Sequence, residues 1–551
     1  MAVIITDNRT LVDEADAVTG WTASAGVAVF TSAPDPVEST GSLGTQVSNA
    51  TEEVYHTIAS DDLTNTLVYA WLLPGGVLDT TTLGGNQVIL GDGTDRIGFH
   101  VGGSDGAGFR HDAGPVTWQC FVIDTSALPV SSTAFAGAVG TLTLTTITQI
   151  GAAFKTLAKS VGGVENCFVD VIRYGNGGLT ITGGGTGTEG KFLEIATADR
   201  STVNLTAYGI CRELGADLFG LQGPLVFGDS VGTGSVDFED TGRTVVFEDR
   251  GLGTDKYSVT VTGNATGTTS FILGTRGGAG LGSAGCSLIV PAGVGGSFIA
   301  SSANIDILGL YDCTLSGFTN GVTFTSDVTA GPNHEIFATS FSGNGLITIG
   351  TTEFKGNSIS GSTATSATLL STTTNVSDLT FTSAGTGHAI TITTPGTYDF
   401  TNFTYTGYAG TDGTTGNEVF YNNSGGLVTI NVVGGDSPTV RNGASASTVV
   451  NNNINITVTN LKDNTEVRVY LTSTLDNTPP YQAPTEVAGI ENATAGTTDA
   501  RTFTFPIASG TGITIRTINT NWVADDVSLT PSSTQNVQIS QRRDRVFINP
   551  A

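Results

Sequence analysis

The middle of this sequence consists of short apolar runs that return at a regular distance, and this feature limits the possible folds more than any other. Between residues 224 and 301 the runs are separated by Gly, Asn, Ser and Thr. Further on, bulky residues recur every 22 residues, each followed by a small residue: Leu315, Phe337, Ile359, Phe381 and Phe403. A parallel β-helix needs such a recurrence, because equivalent side chains of successive turns stack in its interior. We therefore predict a right-handed parallel β-helix over residues 196–450.

The composition favours strands along the whole chain. Of 551 residues 75 are Gly, and only 13% are charged. Gly, Ser, Thr and Asn are all poor residues for a helix interior. Hydrophobic residues still make up 38% of the chain, which is enough to bury a core. The sequence therefore predicts an all-β protein.

The regions on either side of the predicted β-helix have strand patterns of their own. In residues 1–195, two β-prone runs flank the turn residues Gly91 to Thr94, which indicates a hairpin over 87–101. Further strands are predicted at 67–73, 118–125, 167–174 and 191–197. This spacing favours a lectin-like (concanavalin-like) jelly-roll β-sandwich. Residues 451–551 alternate apolar and polar side chains, which predicts a small C-terminal β-sandwich.

The charge balance excludes some classes of partner. The formal net charge is −27, and a chain without a basic stripe is a poor nucleic-acid binder. No apolar stretch is long enough for a membrane span, and the first ten residues lack the features of a secretory signal. Five Cys without a C-x-x-C pair fit synthesis in a reducing cytosol. We predict no nucleic-acid partner, no membrane insertion and no cofactor.

A polysaccharide-cleaving site is one hypothesis for the shaft. Cleavage of a glycosidic bond uses two carboxylates about 5 to 9.5 Å apart, and residues one turn apart in a β-helix stack about 4.8 Å from each other. Asp306 and Asp327 are separated by 21 residues, close to the proposed turn length, and Asp312 is near in sequence. The alternative is that these are solvated surface acids. No single acidic cluster dominates, so the sequence favours a protein that is not an enzyme; if it is one, we expect a glycoside hydrolase or lyase.

Binding of a glycan without cleavage demands less of the sequence. Residues 398–408 hold the densest aromatic run in the chain, and aromatic rings stack on the apolar faces of sugars. We predict Tyr405 and Tyr408 as binding residues and expect Tyr408 to be the more exposed. In the first region, Asp92 and Asp95 are possible calcium ligands, but turn aspartates more often bond to their own backbone, so no metal site is predicted.

The order of a β-sandwich, a Gly- and Asn-rich β-helix and a terminal β-module resembles bacteriophage tail spikes and tail fibres. Four segments carry the resemblance in detail: 388–432, 467–473 (VRVYLTS), 487–496 (VAGIENATAG) and 541–551 (QRRDRVFINPA). The resemblance implies a homotrimeric appendage of the virion, assembled in the host cytoplasm. Its partners would be other virion proteins at the attachment point and a glycan of the host surface.

Two other functions stay open beside this reading. The first is a depolymerase spike that uses the shaft carboxylates. The second is a capsid decoration or head fibre protein with a purely structural role. The resemblance does not decide between tail and capsid, and it aligns no catalytic residue.

Overall fold

The chain is almost entirely strand, which confirms the all-β prediction. It divides into two compact units, residues 1–348 with 362–364, and residues 349–361 with 365–551. The computed structural model describes residues 4–23, 29–32, 37, 41–47, 51–73, 87–100, 118–126, 142–155, 165–183, 191–199, 208–248, 257–275, 284–324, 334–370, 376–408, 410, 416–462, 465–472, 487–488, 503–508, 510–519, 522–531, 534–540 and 542.

The first unit begins with two antiparallel sheets that share one core. Its strands are β1 Ile4–Asp7, β2 Thr10–Asp13, β3 Trp21–Ala23, β4 Val29–Ser32, β5 Ser42–Val47, β6 Thr51–Asp61, β7 Leu67–Leu73, β8 Gln87–Gly91, β9 Arg96–His100, β10 Gln119–Asp124, β11 Ile147–Lys155, β12 Glu165–Tyr174 and β13 Leu179–Thr182, with a 3₁₀ helix at Leu144–Thr146. One sheet has the order β10-β7-β12-β5-β4 with β2 on β12, and the other has the order β3-β6-β11-β8-β9. Trp21, Val68, Leu90 and Ile150 belong to the buried cluster between them. The lectin-like identity of this region stays a prediction.

The predicted hairpin over 87–101 is confirmed, because β8 pairs antiparallel with β9 and Gly91 stands opposite Arg96. The strand predicted at 191–197 is wrong: Lys191–Asp199 is an α-helix, α1. Phe192, Ile195 and Ala196 form its buried face. The Asp240 carboxylate accepts a hydrogen bond of 2.9 Å from the Phe192 N–H at the start of the helix. Because this acceptor is distant in sequence, the residues around the helix give no local sign of it.

The rest of the first unit is a coil with three strands in each turn. Its strands are β14 Cys211–Gly215, β15 Leu218–Leu221, β16 Leu225–Phe227, β17 Val236–Asp240, β18 Thr244–Phe247, β19 Ser258–Val261, β20 Thr269–Leu273, β21 Ser287–Ile289, β22 Ser297–Ala300, β23 Ile307–Tyr311, β24 Thr314–Ser316, β25 Val322–Phe324, β26 His334–Phe337, β27 Ser340–Ser342 and β28 Ile347–Ile349. From β16 on, each strand pairs in parallel with the third strand after it. The first sheet contains β16, β19, β22 and β25, the second β17, β20, β23 and β26, and the third β18, β21, β24 and β27. Stacked parallel turns are what the β-helix prediction requires, while their handedness stays a prediction.

Phenylalanine rings fill the interior of this coil. Phe238 and Phe271 are in register on β17 and β20, and their rings stack with centroids 5.4 Å apart. The ring centroid of Phe271 lies 5.0 Å from that of Phe227 and 6.2 Å from that of Phe298. Helix α1 contributes Phe192, whose ring lies 5.2 Å from Phe238. The helix therefore joins the same apolar stack.

The strands of the second unit pair in parallel up to β39 and mostly antiparallel after it. Its strands are β29 Glu353–Lys355, β30 Ser358–Ser360, β31 Ser366–Leu370, β32 Val376–Ser377, β33 Thr380–Thr382, β34 His388–Ile392, β35 Gly396–Thr406, β36 Phe420–Asn422, β37 Leu427–Gly435, β38 Val440–Asn442, β39 Ser447–Thr459, β40 Thr465–Leu471, β41 Val487–Ala488, β42 Phe503–Ala508, β43 Ile513–Asn519, β44 Trp522–Leu529 and β45 Gln535–Gln538. The strands from β29 to β39 pair in parallel. β39 also pairs with β42 and β45, and a separate sheet has the order β41-β40-β43-β44. Ile456, Val467, Phe505 and Ile515 bury one cluster between these sheets, as the predicted alternation requires.

The sequence prediction assumed a constant spacing between stacked residues. In the structure this spacing varies from turn to turn. Ile359 does stand opposite Phe381, as predicted. Elsewhere the turns are longer, as where Leu308 pairs with His334, or shorter, as where Asn431 pairs with Asn451. In the third sheet Leu315 therefore stacks with Phe341 rather than with Phe337. Loops of different length between the strands cause the variation. The predicted domain limits at 195 and 450 stay predictions.

All five cysteines are buried and none forms a disulfide. Burial raises the pKa of Cys286 to about 11 and that of Cys313 to about 12. Since the thiolate is the reactive form, we expect no cysteine of the native protein to react with a thiol-specific chromogenic reagent at pH 8. Five thiols per chain should react after unfolding in guanidinium, and a rapid reaction of the native protein would contradict the buried placement.

In the described part of the chain, no helix has the length and apolarity needed to cross a membrane.

Candidate functional site

The outer face of the second sheet carries a pair of aromatic side chains. Tyr311 at the end of β23 stands opposite Phe337 at the end of β26, and both residues are half-buried, as Tyr405 is. The Tyr311 ring lies back over Gly309, where a Cβ atom would be only 2.6 Å from it. A glycine at this position thus makes room for the ring, which lies flat along the sheet. We call Tyr311, Phe337 and their neighbour Glu335 the aromatic face.

Glu335 adds a carboxyl group to the aromatic face. It stands opposite Gly309 on the neighbouring strand, so it lies beside the position that the Tyr311 ring covers. Only 5% of its surface is exposed. The adjacent His334 is also buried, and its Nε2 lies 2.9 Å from the Ile305 carbonyl oxygen. Burial lowers the pKa of His334, which favours its neutral form.

Two of the three carboxylates proposed for cleavage, Asp306 and Asp312, do not form a pair. Asp306 precedes β23 and Asp312 follows it, and both are exposed. The extended chain between them separates them by roughly 20 Å, about twice the widest spacing used in glycoside hydrolysis. Asp327 lies outside the described residues. The turn from Leu308 to His334 is longer than the spacing on which the Asp306–Asp327 pair was based, so that spacing is wrong here.

Both Asp306 and Asp312 have structural tasks in the coil. The Asp306 carboxylate accepts a hydrogen bond of 2.6 Å from the Thr269 N–H of the preceding turn. Asp312 has a φ of 53° at the corner between the second and third sheets. Asp and Asn adopt this left-handed conformation more readily than most residues. Asp378 and Asn402 of the second unit, with φ of 56° and 52°, also follow this rule.

The predicted binding residues Tyr405 and Tyr408 are less accessible than expected. Tyr408 is only 8% exposed, and burial raises its pKa to about 12. The expectation that it is the more exposed ring is therefore wrong. Tyr405 is half-buried, and its hydroxyl donates a hydrogen bond of 2.6 Å to the Ser437 carbonyl oxygen. Its ring stands opposite the buried Phe381, which explains why it packs inward.

The two aspartates proposed as calcium ligands lie in the turn of the β8–β9 hairpin. The Asp92 carboxylate accepts hydrogen bonds of 2.8 Å from the N–H groups of Thr94 and Asp95, and these bonds lower its pKa. Asp92 therefore supports the turn itself. No group of three or more potential metal-binding side chains occurs among the described residues.

A second polar cluster lies on the strands β34, β36 and β38 of the second unit. The His388 ring stacks on Tyr421 with centroids 5.1 Å apart, and the Arg441 guanidinium lies 5.0 Å from the centroid of the same ring. His388 Nδ1 donates a hydrogen bond of 2.8 Å to the Glu418 carbonyl oxygen, and burial lowers the pKa of this histidine. Tyr421 and Arg441 stand opposite each other on adjacent strands. We call His388, Tyr421 and Arg441 the arginine column.

The sequence predicted Phe337 in the interior stack, which is wrong, because the residue lies half-buried on the outer face opposite Tyr311. It did not single out Tyr311, Glu335 or the arginine column. The turn that joins Tyr311 to Phe337 is longer than the assumed period, and the turn that joins Tyr421 to Arg441 is shorter. A single assumed period therefore places neither pair in register. The signal that would have found them is alternation within each strand, combined with a turn length adjusted for every turn.

No protein-family model matches this chain, and no curated protein matches it. Among solved structures, the Agl-KA catalytic domain is similar over 81% of this chain and 98% of its own length, at 11% identity and a TM-score of 0.20. A GH87 α-1,3-glucanase from Streptomyces thermodiastaticus is similar over 78% and 96%, at 12% identity and a TM-score of 0.17. The mannan-recognising carbohydrate-binding module TmCBM27 covers 32% of this chain and 99% of its own, at 14% identity and a TM-score of 0.16. Likenesses this weak carry neither a fold nor a function over to this chain.

Proposed function

We propose that this chain is a subunit of a bacteriophage appendage, a tail fibre or tail spike, that binds a glycan of the host surface without cleaving it. The observation that carries the glycan-binding part is the aromatic face on the second sheet. Tyr311 and Phe337 offer two half-buried rings side by side on hydrogen-bonded parallel strands. Exposed carboxylates of Asp306 and Asp312 at the two ends of β23 offer acceptors for sugar hydroxyls.

The separation of the candidate carboxylates favours binding over cleavage. Roughly 20 Å between Asp306 and Asp312 is too far for an acid and a base or nucleophile to act on one bond. Several described acids of the coil already have partners: Glu248 pairs with Arg212, Asp240 pairs with Arg243, and Asp306 accepts from the Thr269 N–H. A depolymerase therefore remains the second candidate, and its test is the release of reducing ends from the polysaccharide that the protein binds.

The resemblance to spikes and fibres supports a lectin-like sandwich at the front, a right-handed β-helix and a homotrimer. Size exclusion with light scattering measures the assembly directly. From a chain of 56.2 kDa we expect a species of about 169 kDa that elutes early for its mass. A monomer would contradict the appendage proposal. Labelling of virions would then distinguish the tail from the capsid, where a decoration protein would lie.

The aromatic face predicts a specific loss of binding. We expect Tyr311→Ala to lower the affinity for host-surface glycan about tenfold, because removal of a ring face from a sugar costs roughly 1.4 kcal/mol. Binding of the fluorescently labelled protein to host cells, with free glycan as competitor, measures this loss. Leu427→Ala removes another exposed apolar side chain, which is 57% exposed, and should leave binding unchanged. Equal binding by both variants and the parent would exclude the aromatic face as the site.

A further inference from the structure

Arg441 in the arginine column has a guanidinium group without a carboxylate partner among the described residues. Its assigned contact is the cation–π interaction with Tyr421. Gly416 lies against it, since a Cβ atom there would be 3.2 Å from Arg441 Nη1. An arginine fork presents several parallel N–H donors that match a carboxylate. The described part of the chain leaves these donors open.

Three other Arg–Tyr pairs show what usually completes this arrangement in the protein. Arg9 lies 4.2 Å from the Tyr69 ring and pairs with Asp7 at 2.7 Å. In the same way, Arg96 lies over Tyr55 and pairs with Glu53 at 2.5 Å. Arg516 lies over Tyr470 and pairs with Asp526 at 2.7 Å. In each of these pairs a carboxylate of the chain takes the fork, whereas at Arg441 that place is open.

Groups suited to sugar hydroxyls surround Arg441. The Tyr421 hydroxyl donates a hydrogen bond of 3.2 Å to Asn423 Oδ1, and the exposed Asn442 follows Arg441 directly. A Cβ atom at Gly443 would lie 3.0 Å from Asn423 Oδ1 and 3.3 Å from the Tyr421 hydroxyl. Because glycine has no Cβ atom, it leaves room for these two groups at this corner. Two amides and a phenol beside one cation form a mixed polar surface, while the nearby Glu418 carboxylate is buried and accepts a hydrogen bond of 2.8 Å from the Gly416 N–H.

The charge of the whole chain limits the type of anion. A net charge of −27 repels a densely charged polymer such as a nucleic acid or a polyphosphate. One guanidinium balances one negative charge. The ligand that fits is therefore a mostly neutral polymer with isolated carboxylates.

We propose that Arg441 binds the carboxylate of a uronic acid residue in an acidic polysaccharide, with Tyr421, Asn423 and Asn442 contacting the neighbouring sugar hydroxyls. This inference rests on the proposed glycan-binding function and assigns a charge class to the ligand. It adds a site in the second unit to the aromatic face of the first.

The test uses a matched pair of ligands and the full-length protein. An oligosaccharide in which galacturonic acid alternates with neutral sugars is compared, by isothermal titration calorimetry, with its carboxyl-reduced counterpart. We expect the acidic form to bind roughly 10- to 100-fold more tightly, the range of a charge-assisted hydrogen bond. Arg441→Gln should abolish the difference, and Arg441→Lys should restore only part of it. Arg516→Gln is the matched control, because that arginine also lies over a tyrosine but already has its carboxylate.

Each failure has a different meaning. Equal affinity of the acidic and reduced oligosaccharides would overturn the uronic acid inference and leave glycan binding intact. Acetate that competes as well as the oligosaccharide would reveal a general carboxylate site and overturn it as well. A protein that binds no glycan of either kind, on these ligands or on host cells, would refute the proposed function together with the inference. Unchanged thermal unfolding of Arg441→Gln excludes misfolding as the cause of a loss.

Discussion

Asp7→Asn is expected to lower the free energy of unfolding by about 3–5 kcal/mol, because it leaves a buried arginine without its countercharge. The Arg9 side chain has no exposed surface, and its Nε and Nη2 donate hydrogen bonds of 2.8 and 2.7 Å to Asp7. Asp7 also accepts from Arg173 at 3.1 Å. The same carboxylate of β1 thus serves two cations, Arg9 and Arg173 of β12.

Denaturation in urea, followed by the fluorescence of the four tryptophans of the chain, measures this change. Asp526→Asn is the matched control, since Asp526 pairs with Arg516 in an exposed position where both side chains are about one third accessible. An exposed pair contributes less than about 1 kcal/mol. If both variants unfold at the same urea concentration, Arg9 is not a buried cation that depends on the carboxylate of Asp7.

Phe271→Ala is expected to cost about 3–5 kcal/mol in the coil of the first unit. Its ring is fully buried and contacts the rings of Phe227, Phe238 and Phe298 on three sides. The strands above and below are held by backbone hydrogen bonds, so they cannot close the cavity fully. The cost of the cavity then adds to the transfer free energy that is lost with the ring.

Hydrogen exchange of the strands next to β20 is the suitable measurement, because a stacked coil can open locally. Protection in β17 and β23 should fall strongly in Phe271→Ala. Phe337→Ala is the matched control, since that phenylalanine is only half-buried and lies on the outer face of the second sheet. Similar losses of protection in both variants would contradict the interior placement of Phe271.

Local patterns in the sequence predicted those elements whose structure depends on neighbouring residues. The β8–β9 hairpin follows from turn residues between two β-prone runs, and the alternation in β39 follows from one face being buried. Both depend on near neighbours in the sequence. Helix α1 was missed because its face of Phe192, Ile195 and Ala196 is short and its first N–H group is bonded to a distant aspartate.

The candidate sites depend on register, which the sequence does not state directly. Tyr311 meets Phe337 only because the turn there is long, and Tyr421 meets Arg441 only because the turn there is short. The lengths of the loops determine these registers, and loops have no periodic pattern. The pair Asp306 and Asp327 stays a prediction, because Asp327 lies outside the described residues. The period on which it was based holds for Ile359 and Phe381 but not for the longer turn from Leu308 to His334.

The variable turn length has a consequence for how such a protein can change over generations. A coil whose strands are aligned by stacking tolerates insertions and deletions between strands, because an altered loop leaves the rungs above and below unaffected. Side chains on the outer faces can then be exchanged while the interior phenylalanines are kept. A lineage under pressure to follow a changing surface polymer would gain new specificities in this way without having to find a new framework.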